Sequence, residues 1–154
     1  MLKIMFVCHG NICRSPMAEF IFKKMCAERD MSSVEISSSA TSSEEIWNGI
    51  GNPVYPPAKE ILKKYGIDCG DKRAIQLKKQ DYNKYDLFVV MDENNLHNIY
   101  RIFGKDTEHK VKKLLDYTKE GGNVADPWYS GDFQRAYDDI FRGCEALFDQ
   151  ITLR

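Results

Sequence analysis

The chain has almost no net charge: 22 basic and 23 acidic side chains leave −1 over 154 residues. Such a balance lacks the electrostatic footprint of a nucleic-acid binder. The lysine pairs at 23–24, 63–64, 78–79 and 112–113 read as solvated faces rather than a binding patch. Long apolar runs are missing too. The opening Met-Leu-Lys-Ile-Met-Phe-Val is too short for an export signal and far too short for a membrane span, so no membrane partner is expected. Cysteines stand at 8, 13, 26, 69 and 144, an odd count. Without an export signal they are expected to be reduced thiols in a cytoplasmic protein. Cys8 and Cys13 have no second pair at zinc-ligand spacing, and the three histidines (9, 97 and 109) are scattered. No metal and no other cofactor is expected. There is no internal repeat, long linker or tail of one charge sign. One domain, 1–154, with one core suits this length.

Apolar periodicity supplies the fold class. Residues 4–7 read as a buried strand ending at Cys8, and residues 34–38 as a weaker one. Residues 87–91, "LFVVM", form the clearest buried strand, with Asp92 able to cap the helix that follows; residues 111–115 suggest a fourth. Between them lie helical stripes. One holds Met17, Ala18, Ile21, Phe22 and Met25. Another holds Val54, Ala58, Ile61, Leu62 and Tyr65, and is stopped by Gly66. A third carries Leu96, Ile99, Tyr100 and Phe103, and the last has a wide face from Phe133 to Ile151. Cys26 and Cys144 fall on such faces as small core residues. The stretch "SSSATSSEE" reads as loop. Strands alternating with helices predict an α/β fold, a parallel sheet covered on both faces. Ligands on such sheets bind beyond the carboxyl ends of strands, where Cys8, Ser38 and Asp92 fall.

The stretch "FVCHGNICRSPMAEF" joins the first strand to the first helix. Backbone amides at a helix start favour an anion. Gly10 allows close approach of the backbone, and Asn11 tolerates unusual dihedrals. The same environment favours the ionised form of a cysteine, so Cys8 is expected to be a thiolate nucleophile. Arg14 offers a planar fork for two phosphate oxygens. The turn therefore suits an oxyanion seated above a nucleophile, surrounded by His9, Gly10, Asn11, Ile12, Cys13 and Ser15. Ser15-Pro16 also reads as a helix cap followed by proline at the first helical position. Near the other end, "ADPWYSGDF" supplies Asp126 as a candidate general acid, with Trp128 and Tyr129 as walls for a flat group. Asp-Pro is equally a turn opener before the last helix.

Together, "VCHGNICRSP" and "ADPWY" resemble the signatures of the low-molecular-weight protein tyrosine phosphatases: Cys-x-Gly-Asn-x-Cys-Arg-Ser-Pro near the N-terminus and Asp-Pro near the C-terminus. "SSSATS", "YGID" and "MDENNL" extend the likeness over nearly the whole chain. The resemblance implies a four-stranded parallel sheet with helices on both faces and a phosphate-binding loop between the first strand and first helix. It implies Cys8 as nucleophile, Arg14 on the phosphate and Asp126 as general acid. Asn11 and Ser38 would hold the loop, Ser15 would bond the thiolate, and Cys13 would be the partner for a reversible disulfide. Two departures stand out. Where many members have a histidine bracing the loop asparagine, this chain offers Asp71 or Lys72. Where the serine loop often carries glycine, it has Ala40.

The implied substrate is phosphotyrosine in a protein, or a small aryl phosphate. Relatives of this fold include protein arginine phosphatases and thiol-dependent arsenate reductases. The arginine-specific members resemble this chain but carry threonine at the position of Ile12 and lack the aromatic pair. Trp47 is either a further wall of the cleft or a local loop anchor. A monomer or weak homodimer is expected.

Overall fold

The computed structural model describes residues 1–153. In chain order the elements are β1 (Leu2–Cys8), α1 (Arg14–Glu28), β2 (Val34–Ala40), β3 (Ile46–Trp47), β4 (Ile50–Gly51), α2 (Pro56–Lys64), β5 (Leu87–Val90), α3 (Glu93–Phe103), β6 (Val111–Lys113), α4 (Pro127–Ser130) and α5 (Phe133–Thr152). Four strands form one parallel sheet in the order β2-β1-β5-β6. This is the expected architecture.

Residues 4–8 of β1 and all of β5 are apolar because both their faces are covered. Ile4, Phe6, Leu87 and Val89 pack with α1, α2 and α5 on one face; Met5, Val7, Phe88 and Val90 pack with α3 on the other. Phe6 meets Phe22 edge to face, ring centroids 5.8 Å apart. Emptying such a site, as in Phe22→Ala, costs about 3–5 kcal/mol. Tyr65, Tyr100 and Phe141 sit at the margins of their stripes and stay 36%, 39% and 37% exposed. None of the described helices is long and apolar enough to cross a membrane.

Three local expectations change. β2 does not give way to loop at Ser37 but runs to Ala40, in register with Cys8. Serine is a poor strand former, and pairing on both sides overrides it: beyond β1, the Ala40 N–H donates to the Ile75 carbonyl and the Leu77 N–H to the Ala40 carbonyl. β6 stops at Lys113, and residues Leu114–Tyr117 close into a 3₁₀ turn. β3 and β4 form a small hairpin around Asn48-Gly49, both at positive φ (50° and 75°). Asn-Gly is a strong two-residue hairpin signal, overlooked among the serines and glutamates that precede it.

The sheet's order turns back at β1, which has β2 on one side and β5 on the other. A crevice opens beyond the carboxyl ends at such a switch point. The 8–14 loop and Asp92 lie there.

Candidate active site

Cys8 ends β1, 4% exposed, and the next residues turn sharply into α1. The turn depends on Asn11, which holds a left-handed backbone at φ 59° and is 1% exposed. Asparagine tolerates this region better than most residues. Its amide is used at both ends: Oδ1 accepts from the Ile75 N–H (3.0 Å), while Nδ2 donates to Ser15 Oγ (2.8 Å) and Ser38 Oγ (3.0 Å). Gly10 leaves little room above it, since a Cβ there would meet Glu45 Cγ at 3.1 Å.

Ser15 does not cap the helix. α1 begins at Arg14, with no side chain capping it, and Ser15 Oγ instead lies 3.0 Å from Cys8 Sγ. Because Asn11 donates to that oxygen, the Ser15 proton is left to point at the sulfur, or at the Ser39 carbonyl 3.5 Å away. The bracing continues behind Ser38. Its hydroxyl donates to Glu19 Oε1 at 2.5 Å, and Glu19 is 5% exposed. Lys23 donates to Glu19 Oε2 at 2.6 Å. Lys72 lies 3.8 Å from Glu19 and donates to the Ser38 carbonyl at 2.9 Å. Burial pushes the Lys72 pKa below its ordinary value, opposed by the Glu19 charge. Between Asp71 and Lys72, then, it is Lys72 that reaches the loop's support.

Arg14 is 3% exposed. Its Nη1 donates to Asp92 Oδ2 (2.8 Å) and to the Val124 carbonyl (2.6 Å), and Nη2 lies 3.6 Å from Asp126 Oδ2. Burial alone would lower the guanidinium pKa. The charges on Cys8, Asp92 and Asp126 outweigh it, and the group ends above its usual value. Asp92 caps α3 as expected, accepting from the Asn95 N–H at 2.8 Å. Asp126 opens the turn before the last helix, as one reading of Asp-Pro has it. It caps α4 through the Trp128 N–H (3.0 Å) while its other oxygen faces Arg14. At Cys13, burial first, then the charges on Cys8 and Asp126, push the thiol well up, with Arg14 opposing.

These groups enclose a cleft of about 250 Å³ lined by residues 8–14, Glu44, Glu45, Asp126, Trp128 and Tyr129. The structure therefore brings together Cys8, His9, Gly10, Asn11, Ile12, Cys13, Arg14, Asp126, Trp128 and Tyr129, with Ser15 beneath the sulfur. Of the two readings of Trp47, wall or loop anchor, the first is not met among the residues lining this cleft. Trp47 stands on the β3–β4 hairpin, 80% exposed, and the carboxylates of Glu44 and Glu45 occupy the wall assigned to it. Trp128 is fixed by Tyr55, centroids 4.8 Å apart, and the Tyr55 N–H donates to the Ile12 carbonyl at 2.7 Å. Tyr55, Glu44, Glu45 and Glu19 were not anticipated; no local pattern marks them. Cys69 and Cys144 do not line the cleft. Among the described residues, no group of three or more His, Cys, Asp or Glu is arranged to hold a metal ion.

Residues 3–154 match the family model described as low molecular weight phosphotyrosine protein phosphatase. The chain is 38% identical to the low molecular weight protein-tyrosine-phosphatase YfkJ of Bacillus subtilis, over 98% of this chain and 96% of that one. It superposes on the YfkJ crystal structure with a TM-score of 0.92, covering 99% of this chain and 95% of that one at 34% identity. PtpA of Staphylococcus aureus, another low molecular weight protein-tyrosine-phosphatase, is 33% identical over 99% of this chain and 95% of its own. A Drosophila arginine phosphatase shares the fold at a TM-score of 0.86 and 27% identity, covering 97% of this chain and 98% of its own. The chain belongs to the low molecular weight phosphotyrosine protein phosphatase family.

Proposed function

We propose that the protein hydrolyses phosphotyrosine in proteins through a cysteinyl-phosphate intermediate, with Cys8 as nucleophile, Arg14 as the phosphate clamp and Asp126 as general acid and base. The observation that carries this reading is the single cleft in which Ser15 Oγ meets Cys8 Sγ at 3.0 Å and Arg14 and Asp126 form the wall. In the first step the Cys8 sulfur attacks phosphorus, the bond to the phenolic oxygen breaks, and Asp126 gives that oxygen its proton. In the second step Asp126 takes a proton from water as the water oxygen attacks phosphorus. The sulfur–phosphorus bond breaks, and inorganic phosphate leaves. Arg14 is already held by Asp92 and the Val124 carbonyl, so little reorganisation is needed when charge builds on the phosphoryl oxygens.

An aromatic leaving group is favoured by Ile12 at the loop and by Trp128 and Tyr129 at the mouth, 55% and 87% exposed. Phosphoserine has no ring for Ile12, Trp128 and Tyr129 to hold. A cysteine relay from the site has little support, because Cys69 and Cys144 lie away from the cleft and burial raises both thiols. The test is Cys8→Ser. The variant is expected to lose turnover of phosphotyrosine peptides and aryl phosphates while still binding a phosphate analogue; undiminished turnover rules the mechanism out. Phosphotyrosine, phosphoarginine and phosphoserine peptides given to the wild-type protein test the substrate, and preference for phosphoarginine would overturn the aryl reading.

A further inference from the structure

The catalytic cleft continues past Asp126. A second cavity of about 440 Å³ shares His9, Arg14, Asp126 and Tyr129 with it and extends along one face of α3. That face is a polar stripe at helical spacing, formed by Asn94, His97, Asn98 and Arg101. Charge along this groove is uneven. Its two carboxylates, Asp92 and Asp126, sit at the catalytic end and face Arg14 at 2.8 and 3.6 Å. At the far end Arg101 is exposed, and among the described residues its side chain makes no ion pair or hydrogen bond. Glu44 and Glu45 also line the catalytic cleft, Glu44 paired with His9 at 2.9 Å.

We propose that this groove receives an acidic side chain of the substrate polypeptide, and that Arg101 selects it. The inference rests on the phosphotyrosine-phosphatase reading and adds a sequence preference to it. The reach is set by geometry. Asn94 to Arg101 is seven helical positions, about 10 Å at 1.5 Å per residue. An extended peptide covers that in about three residues. The stripe is thus about three extended residues long, and a substrate chain that leaves the phosphotyrosine at its Asn94 end carries a residue about three positions away alongside Arg101. One guanidinium among amides and imidazoles matches the single charge of Asp or Glu. A second phosphate, at roughly −1.5 to −2, would meet one free cation with two carboxylates at the near end.

The experiment measures kcat/KM on phosphotyrosine peptides with Glu, Gln, Lys or phosphoserine about three residues to either side, together with a small aryl phosphate. For wild-type protein at low salt, Glu is expected to exceed Lys by about two- to five-fold on one side only, the scale of an exposed ion pair. The gain should shrink in high salt, where the screening length falls to a few ångströms. It should vanish in Arg101→Gln and turn towards Lys in Arg101→Glu. Equal turnover of all peptides by the wild type overturns the groove while leaving the phosphatase reading intact. A Glu preference that survives both substitutions, or a gain found only with a second phosphate, overturns it as well. If neither the peptides nor the aryl phosphate are hydrolysed, both readings fall together.

Discussion

At the amino end of the sheet, Asp106 accepts hydrogen bonds from the Tyr82 hydroxyl (2.6 Å), the Lys110 N–H (2.8 Å) and the Val111 N–H (3.0 Å). At the carboxyl end, Arg14 reaches Asp92, 78 residues away in sequence, and the Val124 carbonyl, 110 away. The two hubs have similar bonding and opposite origins. Two of the three donors to Asp106 lie four and five residues along the chain, and together they fasten the turn that starts β6. The Arg14 hub exists only because α1, β5 and the segment before α4 converge, and its arginine still lines a cleft. The amino-end hub closes a local turn; the carboxyl-end hub joins distant segments at the wall of a cleft.

Substitutions should separate the two ends. The largest effect is expected at Asp126. Asp126→Ala should lower kcat on an aryl phosphate about 10²- to 10⁴-fold, as loss of a general acid does, and the deficit should narrow with leaving groups that need no proton. A Brønsted plot over substituted phenyl phosphates checks this, and a flat comparison with wild type would remove Asp126 from the chemistry.

Next comes Asp106→Asn, expected to cost about 1–3 kcal/mol of stability in a urea melt with kcat unchanged. Burial alone would raise the Asp106 pKa; the bonds from Tyr82, Val111 and Lys110 outweigh it and hold it below the ordinary 3.8. A carboxylate so depressed contributes stability in full above that ordinary value and loses it as pH falls through the lower folded value. The wild type should therefore weaken across that acid window, and Asp106→Asn should show a shallower slope there. An equal slope would mean that the hub does not carry the acid limb.

The smallest of these effects is expected at Lys72. Lys72→Met removes one bond to the Ser38 carbonyl and leaves Glu19 with the Lys23 ammonium and the Ser38 hydroxyl. Loss of one such bond corresponds to a fall in kcat of about tenfold or less. Lys72→His, which can still donate, should retain more activity than Lys72→Met. Equal kinetics for the two would show that packing alone, not the hydrogen bond, is needed at this position.

Legibility followed the range of the interaction. The β1 and β5 strands, the stripe of α1 and the Asp92 cap were readable because each depends on residues a few positions apart. Ser15 was ambiguous because its alternative partners, the helix start and the Cys8 sulfur, differ only in how the loop turns at Asn11. The strand's end at Ser39–Ala40 was hidden by residues of low strand propensity, which take their pairing from β1 and from residues 75–77. The Lys72–Glu19–Ser38 support crosses three separate segments, and no spacing announces it. Trp47 carried the chemistry of a cleft wall, but the hairpin turns it away and leaves Glu44 and Glu45 in its place.

By itself the sequence determined the layered α/β architecture and the identity of the reactive loop, since periodic burial and the Cys8–Arg14 spacing are properties of contiguous residues. Only the tertiary structure decided what surrounds that loop: Asp92 and Asp126 on Arg14, Lys72 behind Ser38, and an acidic cleft rim beside a groove that ends at an exposed arginine. Those arrangements depend on which strand ends the fold brings side by side. Distance along a chain carries no information about that until the sheet has formed.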